Sequence, residues 1–190
     1  MPEPMLRRAR PEDADTAVPL LVEAMGALAL QLAGVALPSE AWPLFHKLFV
    51  DRDNRYSHAH VRVLEEGGDV VAAILAYPGR DEPALSAATL ALLRERDPSR
   101  VLRHEPESTP DEYYLDALAV APSQRGRGLA ARMIEAMCTE ALAAGQTRAG
   151  LLVDEAKPGV KRLYEKLGFA VDGERILVGR RHEHMVRSLR

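Results

Sequence analysis

The residues best placed for chemistry are Arg125-Gly126-Arg127-Gly128-Leu129-Ala130, which follow the apolar run Leu118-Ala119-Val120 and open a strongly amphipathic stretch. Gly126 and Gly128 let the backbone turn sharply and present several N–H groups together, at the positive end of the following helix dipole. That arrangement suits a pyrophosphate cradle. Arg125 and Arg127 add cationic charge beside it, and the small side chains of Ala130 and Ala131 leave room for a bulky ligand on the first helical turn.

Three phosphate-binding loops compete for this pattern, and spacing separates them. A nucleotide-binding P-loop needs Gly-Lys-Ser/Thr at the helix start, whereas Gly128 is followed by Leu129. A dinucleotide fingerprint reads formally across Gly126 to Ala131, yet Ala121-Pro122-Ser123-Gln124-Arg125 separate strand from first glycine, and no acidic residue falls about twenty positions on. Asp154 comes late for that role. The third reading is coenzyme A. Arg125-Gly126-Arg127-Gly128-Leu129-Ala130 resembles the Q/R-x-x-G-x-G/A loop of the GNAT superfamily of N-acetyltransferases, and Leu118-Ala119-Val120-Ala121-Pro122 looks like that family's fourth strand. Downstream, Leu163-Tyr164-Glu165-Lys166-Leu167-Gly168-Phe169 resembles its tyrosine-bearing helix and Gly-Phe turn. Residues 6–14 also look like the family's first strand and helix cap. The resemblance is firm over about 112–190 and looser over 1–79.

The resemblance implies an α/β fold with a mixed, centrally splayed β-sheet flanked by helices, and an N-acetyltransferase that moves acetyl from acetyl-CoA to a primary amine. Direct attack through a tetrahedral intermediate is expected, with no covalent enzyme intermediate. Donor binding falls to the backbone of Leu118, Ala119 and Val120 and to the loop Arg125, Gly126, Arg127, Gly128, Leu129 and Ala130, with an N–H near Leu118 polarising the thioester carbonyl. Tyr164 matches the family's general acid, and a phenol is protonated at neutral pH. Glu112 and Asp116 are the candidate bases, since Glu112 lies where some members carry theirs and Asp116 is nearer the expected thioester. Their even spacing puts both on one strand face unless a bulge intervenes. Asp154 is a third option. Lys157 stands where many members carry asparagine, and a lysine cannot accept the hydrogen bonds an amide carbonyl can. The rival readings are a non-catalytic acyl-CoA-binding regulatory module and, behind it, a dinucleotide-dependent oxidoreductase.

Elements must position these groups. At 190 residues and 47% hydrophobic content the chain suits one domain, 1–190. Val18, Leu21, Val22, Met25, Leu28 and Leu32 recur at helical steps and predict one buried helix. A second helix is expected from near Ser39, with Trp42, Phe45 and Phe49 as apolar anchors. Residues 58–77 read as a hairpin turning at Glu66-Gly67-Gly68-Asp69. Segment 80–111 reads as an insertion between the third and fourth strands: one helix limited by Pro98, then a tail from His104 to Pro110 too polar to be core. A surface elaboration or homodimer contact is favoured there over a lid. The helix after the loop should bury Met133, Ile134, Met137, Cys138, Ala141 and Leu142, making Cys138 a core residue. His182 and His184 read as a solvated polar face, with no metal set. A formal net charge of −3 gives no case for a nucleic-acid partner. One cysteine, no apolar leader and no long apolar stretch predict a cytoplasmic protein without a membrane partner. The amine acceptor, small molecule or peptide, is left open.

Overall fold

The unbroken apolar run at 70–77 becomes the strand that is covered on both faces. In the computed structural model, which describes residues 3–190, β3 (Asp69–Pro78) is buried along nearly its whole length. Its neighbours are β2 (Val61–Glu66), turned back at Gly67 and Gly68, and β4 (Tyr113–Val120). With β1 (Met5–Arg8), β5 (Arg148–Asp154), β6 (Ala170–Leu177) and β7 (Arg180–Ser188) they form one seven-stranded sheet in the order β1-β2-β3-β4-β5-β7-β6. Every pairing is antiparallel except β4 with β5.

That parallel pairing decides the architecture. β4 and β5 are in register only at Tyr113↔Ala149 and Tyr114↔Gly150, whereas β5 stays paired to β7 along its whole length. Against β3, β4 is irregular between Leu115 and Ala117, so Asp116 is the unpaired residue of a bulge. A bulge bends its strand and increases local twist. The sheet therefore opens into a V beyond Tyr114, and the β4 edge from Asp116 to Val120 faces the gap.

Two apolar layers hold the sheet. On one face α1 (Ala14–Met25), α2 (Ala27–Ala33) and α3 (Pro38–Val50) pack Val18, Leu21, Phe45 and Phe49 against Val63, Leu75 and Tyr77. On the other, α5 (Leu129–Ala143) buries Met133, Ile134 and Met137 against Ile74, Leu115 and Leu151. Cys138 lies in this second layer, and burial pushes its thiol up to about 11, as suits a core residue rather than a nucleophile.

Three expectations about packing need correction. The single helix expected through Leu32 breaks at Gly26, where α1 and α2 bend by 111°. Apolar periodicity continues across that bend, so it could not report it. Trp42 is 43% exposed, because the buried face of α3 is made by Ala41, Leu44, Phe45, Leu48 and Phe49 and Trp42 falls at its margin. Leu142, at the last turn of α5, is 41% exposed where the helix runs beyond the sheet. Between β3 and β4 the chain forms α4 (Glu82–Arg96) and an extended return through 101–107, with Leu90, Leu93 and Leu102 joining the first apolar layer. Among the described residues, no single helix is long and apolar enough to cross a membrane.

Candidate active site

The donor side is built from backbone. Gly126 and Gly128 adopt φ of +79° and +77°, a left-handed conformation that side chains disfavour, and a Cβ at either would meet nothing within 4 Å. Glycine is needed there for backbone shape, not for space. Gly128 caps α5 without any side-chain hydrogen bond, which leaves the first amides of the helix free to point at a ligand. A cleft of about 550 Å³ runs along this turn, lined by Leu118, Ala119, Val120, Arg125, Gly126 and residues 128–131. Arg125 braces it, donating from Nε to Val120 O at 3.1 Å and reaching Glu23 at 2.7 Å. Arg127 does not face the cleft. Its guanidinium forms two 2.8 Å bonds to Glu66 on the β2–β3 hairpin, and the charge expected beside the anion is spent on locking the loop to that hairpin. The arginine in turn lowers the pKa of Glu66. These free amides and the exposed β4 edge fit coenzyme A.

A second cleft of about 540 Å³ meets the first at Leu118, Lys157 and Val160. It fills the V between β4 and β5 and is closed by the bend at Met25–Leu28 and by the tip of the β6–β7 hairpin at Val178. Tyr164 of α6 (Pro158–Lys166) lines it, and burial alone pushes the phenol up to about 12, so it carries its proton throughout the neutral range. Asp116 lines it as well. Its Oδ2 accepts from Arg55 Nε at 2.8 Å and Tyr77 Oη at 2.6 Å, while Oδ1 has no partner among the described residues.

Behind Asp116 lies a buried charge cluster. Arg55 is 5% exposed and lies close to three carboxylates: Asp116, Glu107, to which its Nη2 donates, and Glu82 at 3.8 Å. The guanidinium also sits 5.6 and 5.8 Å from the ring centres of Tyr56 and Tyr77. Glu107 takes a further bond from Tyr114 Oη at 3.0 Å and also lines the second cleft. Burial pushes its carboxyl up to about 7, against the pull of Arg55. Glu82 fixes the turn beneath by accepting from the backbone amides of Glu107 and Ser108 at 3.0 and 2.8 Å. The tail from His104 to Pro110, expected outside the core, thus contributes a fully buried carboxylate to the site. Proline-rich polar sequence hid this because the partner arginine is 52 residues away. Arg55, Tyr77, Glu82, Glu107 and Tyr114 all escaped the sequence reading. The one local signal was a polar segment, 51–57, ending in Arg55-Tyr56 just before an apolar strand.

Glu112 directly precedes β4, with the bulge at Asp116 further along, and the two carboxylates have different surroundings. It is wholly buried, accepts from the Thr109 amide at 2.9 Å, and lies 3.0 Å from His184 Nε2, away from the cleft. A base must reach its substrate, and Glu112 is walled off. His184, expected in a solvated face, is 1% exposed because β7 lies between β5 and β6. His182 and Asp154 do reach the cleft wall, and Asp154 is held by Arg180 at 2.8 Å. Lys157 stands at the junction of both clefts. No group of three or more His, Cys, Asp or Glu residues that could hold a metal occurs among the described residues.

A sheet that opens between two parallel strands, over a glycine-rich helix start, defines a scaffold for acyl-group transfer. The chain belongs to the acetyltransferase (GNAT) family, whose model matches residues 31–169, and is an acetyltransferase. An acetyltransferase of known structure is 26% identical to it with a TM-score of 0.79, across 98% of this chain and 100% of the other. An N-acetyltransferase from Staphylococcus aureus is 24% identical with a TM-score of 0.80, over 96% and 99%. The ribosomal-protein-S18-alanine N-acetyltransferase from Escherichia coli shares the fold at 16% identity and a TM-score of 0.60, over 98% and 94%. No curated protein matches the chain in sequence.

Proposed function

We propose that this acetyltransferase moves an acetyl group from acetyl-CoA to a primary amine by direct attack. The observation that carries the reading is the meeting of two clefts at Leu118, Lys157 and Val160, one lined by free helix amides and the other by Tyr164 and Asp116. Acetyl-CoA supplies the acetyl group as a thioester already activated toward amines. The amides at 126–130 hold the pyrophosphate. The free edge of Leu118–Val120 pairs with the pantetheine amides as an added strand would, and the Leu118 backbone polarises the carbonyl. Tyr164 holds its proton at Oη until a thiolate departs. Asp116 holds the incoming nitrogen through Oδ1, the oxygen that Arg55 and Tyr77 leave open. The acceptor is a small molecule or a peptide end that fits about 540 Å³.

The test is release of free thiol from acetyl-CoA across a panel of primary amines, comparing wild type with Tyr164→Phe. Turnover of the variant should fall about 100-fold or more with acetyl-CoA affinity unchanged. Full turnover by the variant removes Tyr164 as the acid. Saturable acetyl-CoA binding with no amine turned over makes the chain a binding module, and thermal stabilisation by NAD(P) instead of coenzyme A makes it a dinucleotide protein.

A further inference from the structure

Glu107 stands between two cavities. The larger is the second cleft, and the smaller, of about 40 Å³, is walled by Arg55, Ser86, Thr89, Leu90, His104 and Glu107. Such a space accommodates about three waters at roughly 10–15 Å³ each. Ser86 Oγ belongs to a residue only 4% exposed and makes no hydrogen bond to the protein. Buried hydroxyls of this kind are ordinarily satisfied by ordered water. At the rim of the small cavity sits His104, its side chain 23% exposed and its Nε2 3.3 Å from Glu82 Oε1.

The groups that face Glu107 explain its character. Arg55 comes from the segment after α3, Glu82 from α4, Tyr114 and Asp116 from β4, and His104 from its own segment, with Tyr77 of β3 beyond Asp116. One guanidinium thus serves three carboxylates. Glu107 is bonded much as Asp116 is, to the arginine and to one tyrosine, and what sets it apart is its place on the wall of both cavities.

An amine enters the cleft as an ammonium ion and cannot attack a carbonyl until it loses a proton. We propose that Glu107 accepts that proton and passes it through water in the small cavity, past Ser86, to His104 and solvent, while Asp116 holds the nitrogen. This rests on the acetyl-transfer reading above. The step balances: the N–H bond breaks and leaves its electron pair on nitrogen, an O–H bond forms on Glu107, and proton transfer to water returns the carboxylate. Over one turnover one proton is released along with the free thiol. The connection between β3 and β4 then supplies a catalytic residue, and a carboxyl poised near neutrality suits a base working there.

Two probes separate this role from a structural one. Ethylamine is cationic at neutral pH and must be deprotonated, whereas hydroxylamine is largely uncharged and need not be. With ethylamine, wild-type thiol release should show an acidic limb centred near pH 7. Glu107→Gln should lower that rate at least tenfold at neutral pH while leaving the hydroxylamine rate within about twofold, because only the first substrate needs the base. Infrared difference spectra of wild type should show a protonated-carboxyl band that titrates near pH 7 and is lost in the variant. A variant that keeps both the acidic limb and the ethylamine rate overturns the proposal, as does a wild-type spectrum without the band, and acetyl transfer survives either result. Failure of wild type to release thiol with either amine overturns the acetyl-transfer reading, and the proposal with it.

Discussion

Glu112 occupies the space that a side chain at position 150 would fill: a Cβ on Gly150 would lie 2.2 Å from Glu112 Oε2. Tyr114↔Gly150 is also the last pair at which β4 touches β5, so the Glu112–His184 contact anchors the point where the sheet divides. Gly150→Ala should overpack this point and destabilise the fold by roughly 1–3 kcal/mol, the usual range for an added group in a filled core. A thermal melt should show the loss, and coenzyme A should restore less of it than in wild type, because the divergence that admits the coenzyme is what shifts. An unaltered melt would mean that Glu112 moves aside freely. Sequence spacing put Glu112 and Asp116 on one face unless a bulge intervened, and a bulge falls at Asp116. Strand alternation reports which residues share a face and not what covers it. For that reason Glu112 read as a base and His184 as solvated, although each is the other's buried partner.

At the scale of elements, the donor loop was legible because its parts are contiguous: a strand, two glycines and a helix start within a dozen residues. Its cost of distortion is correspondingly local. Gly128→Ala places a side chain at φ +77° with open space around it, so the penalty is conformational alone, about 1–2 kcal/mol for an L-residue held left-handed. Relief of that strain would rotate the first amides of α5 away from the pyrophosphate. Coenzyme A affinity measured by calorimetry should therefore weaken about tenfold, the equivalent of 1.4 kcal/mol, with only a small change in melting temperature. Equal affinity in the variant would show that the amides do not bind the ligand. The bend at Gly26 was not legible. Apolar spacing continued through it, yet it lets the segment Met25–Leu28 line the second cleft where a straight helix would have carried those residues away.

Over the whole molecule, the sheet could be read from local patterns, but the buried cluster could not, because its bonds join residues 25, 52 and 61 positions apart. That cluster leaves a signature in global stability. Burial raises the Glu107 pKa to about 7, well above the ordinary carboxylate range near 4. Between those two values the folded chain keeps a proton on Glu107 that the unfolded chain has lost. Since stability rises with pH only where the unfolded state binds more protons, this group's contribution is fully present below the unfolded value and is lost as pH climbs through about 7. Asp13 behaves in the opposite sense, because Arg7 lowers its pKa and its contribution appears as pH rises. His60 and His104, both lowered by burial, also favour the folded state as pH rises toward neutrality. The net pH profile of wild type is therefore a mixture, and the difference from Glu107→Gln isolates the one carboxyl. Urea unfolding of both proteins from pH 5 to pH 8 should show wild type losing stability relative to the variant as pH rises, by a few kcal/mol, and levelling off above neutrality. A constant difference across that range would place the Glu107 proton loss in the ordinary carboxylate range and leave the buried cluster fully ionised at neutral pH.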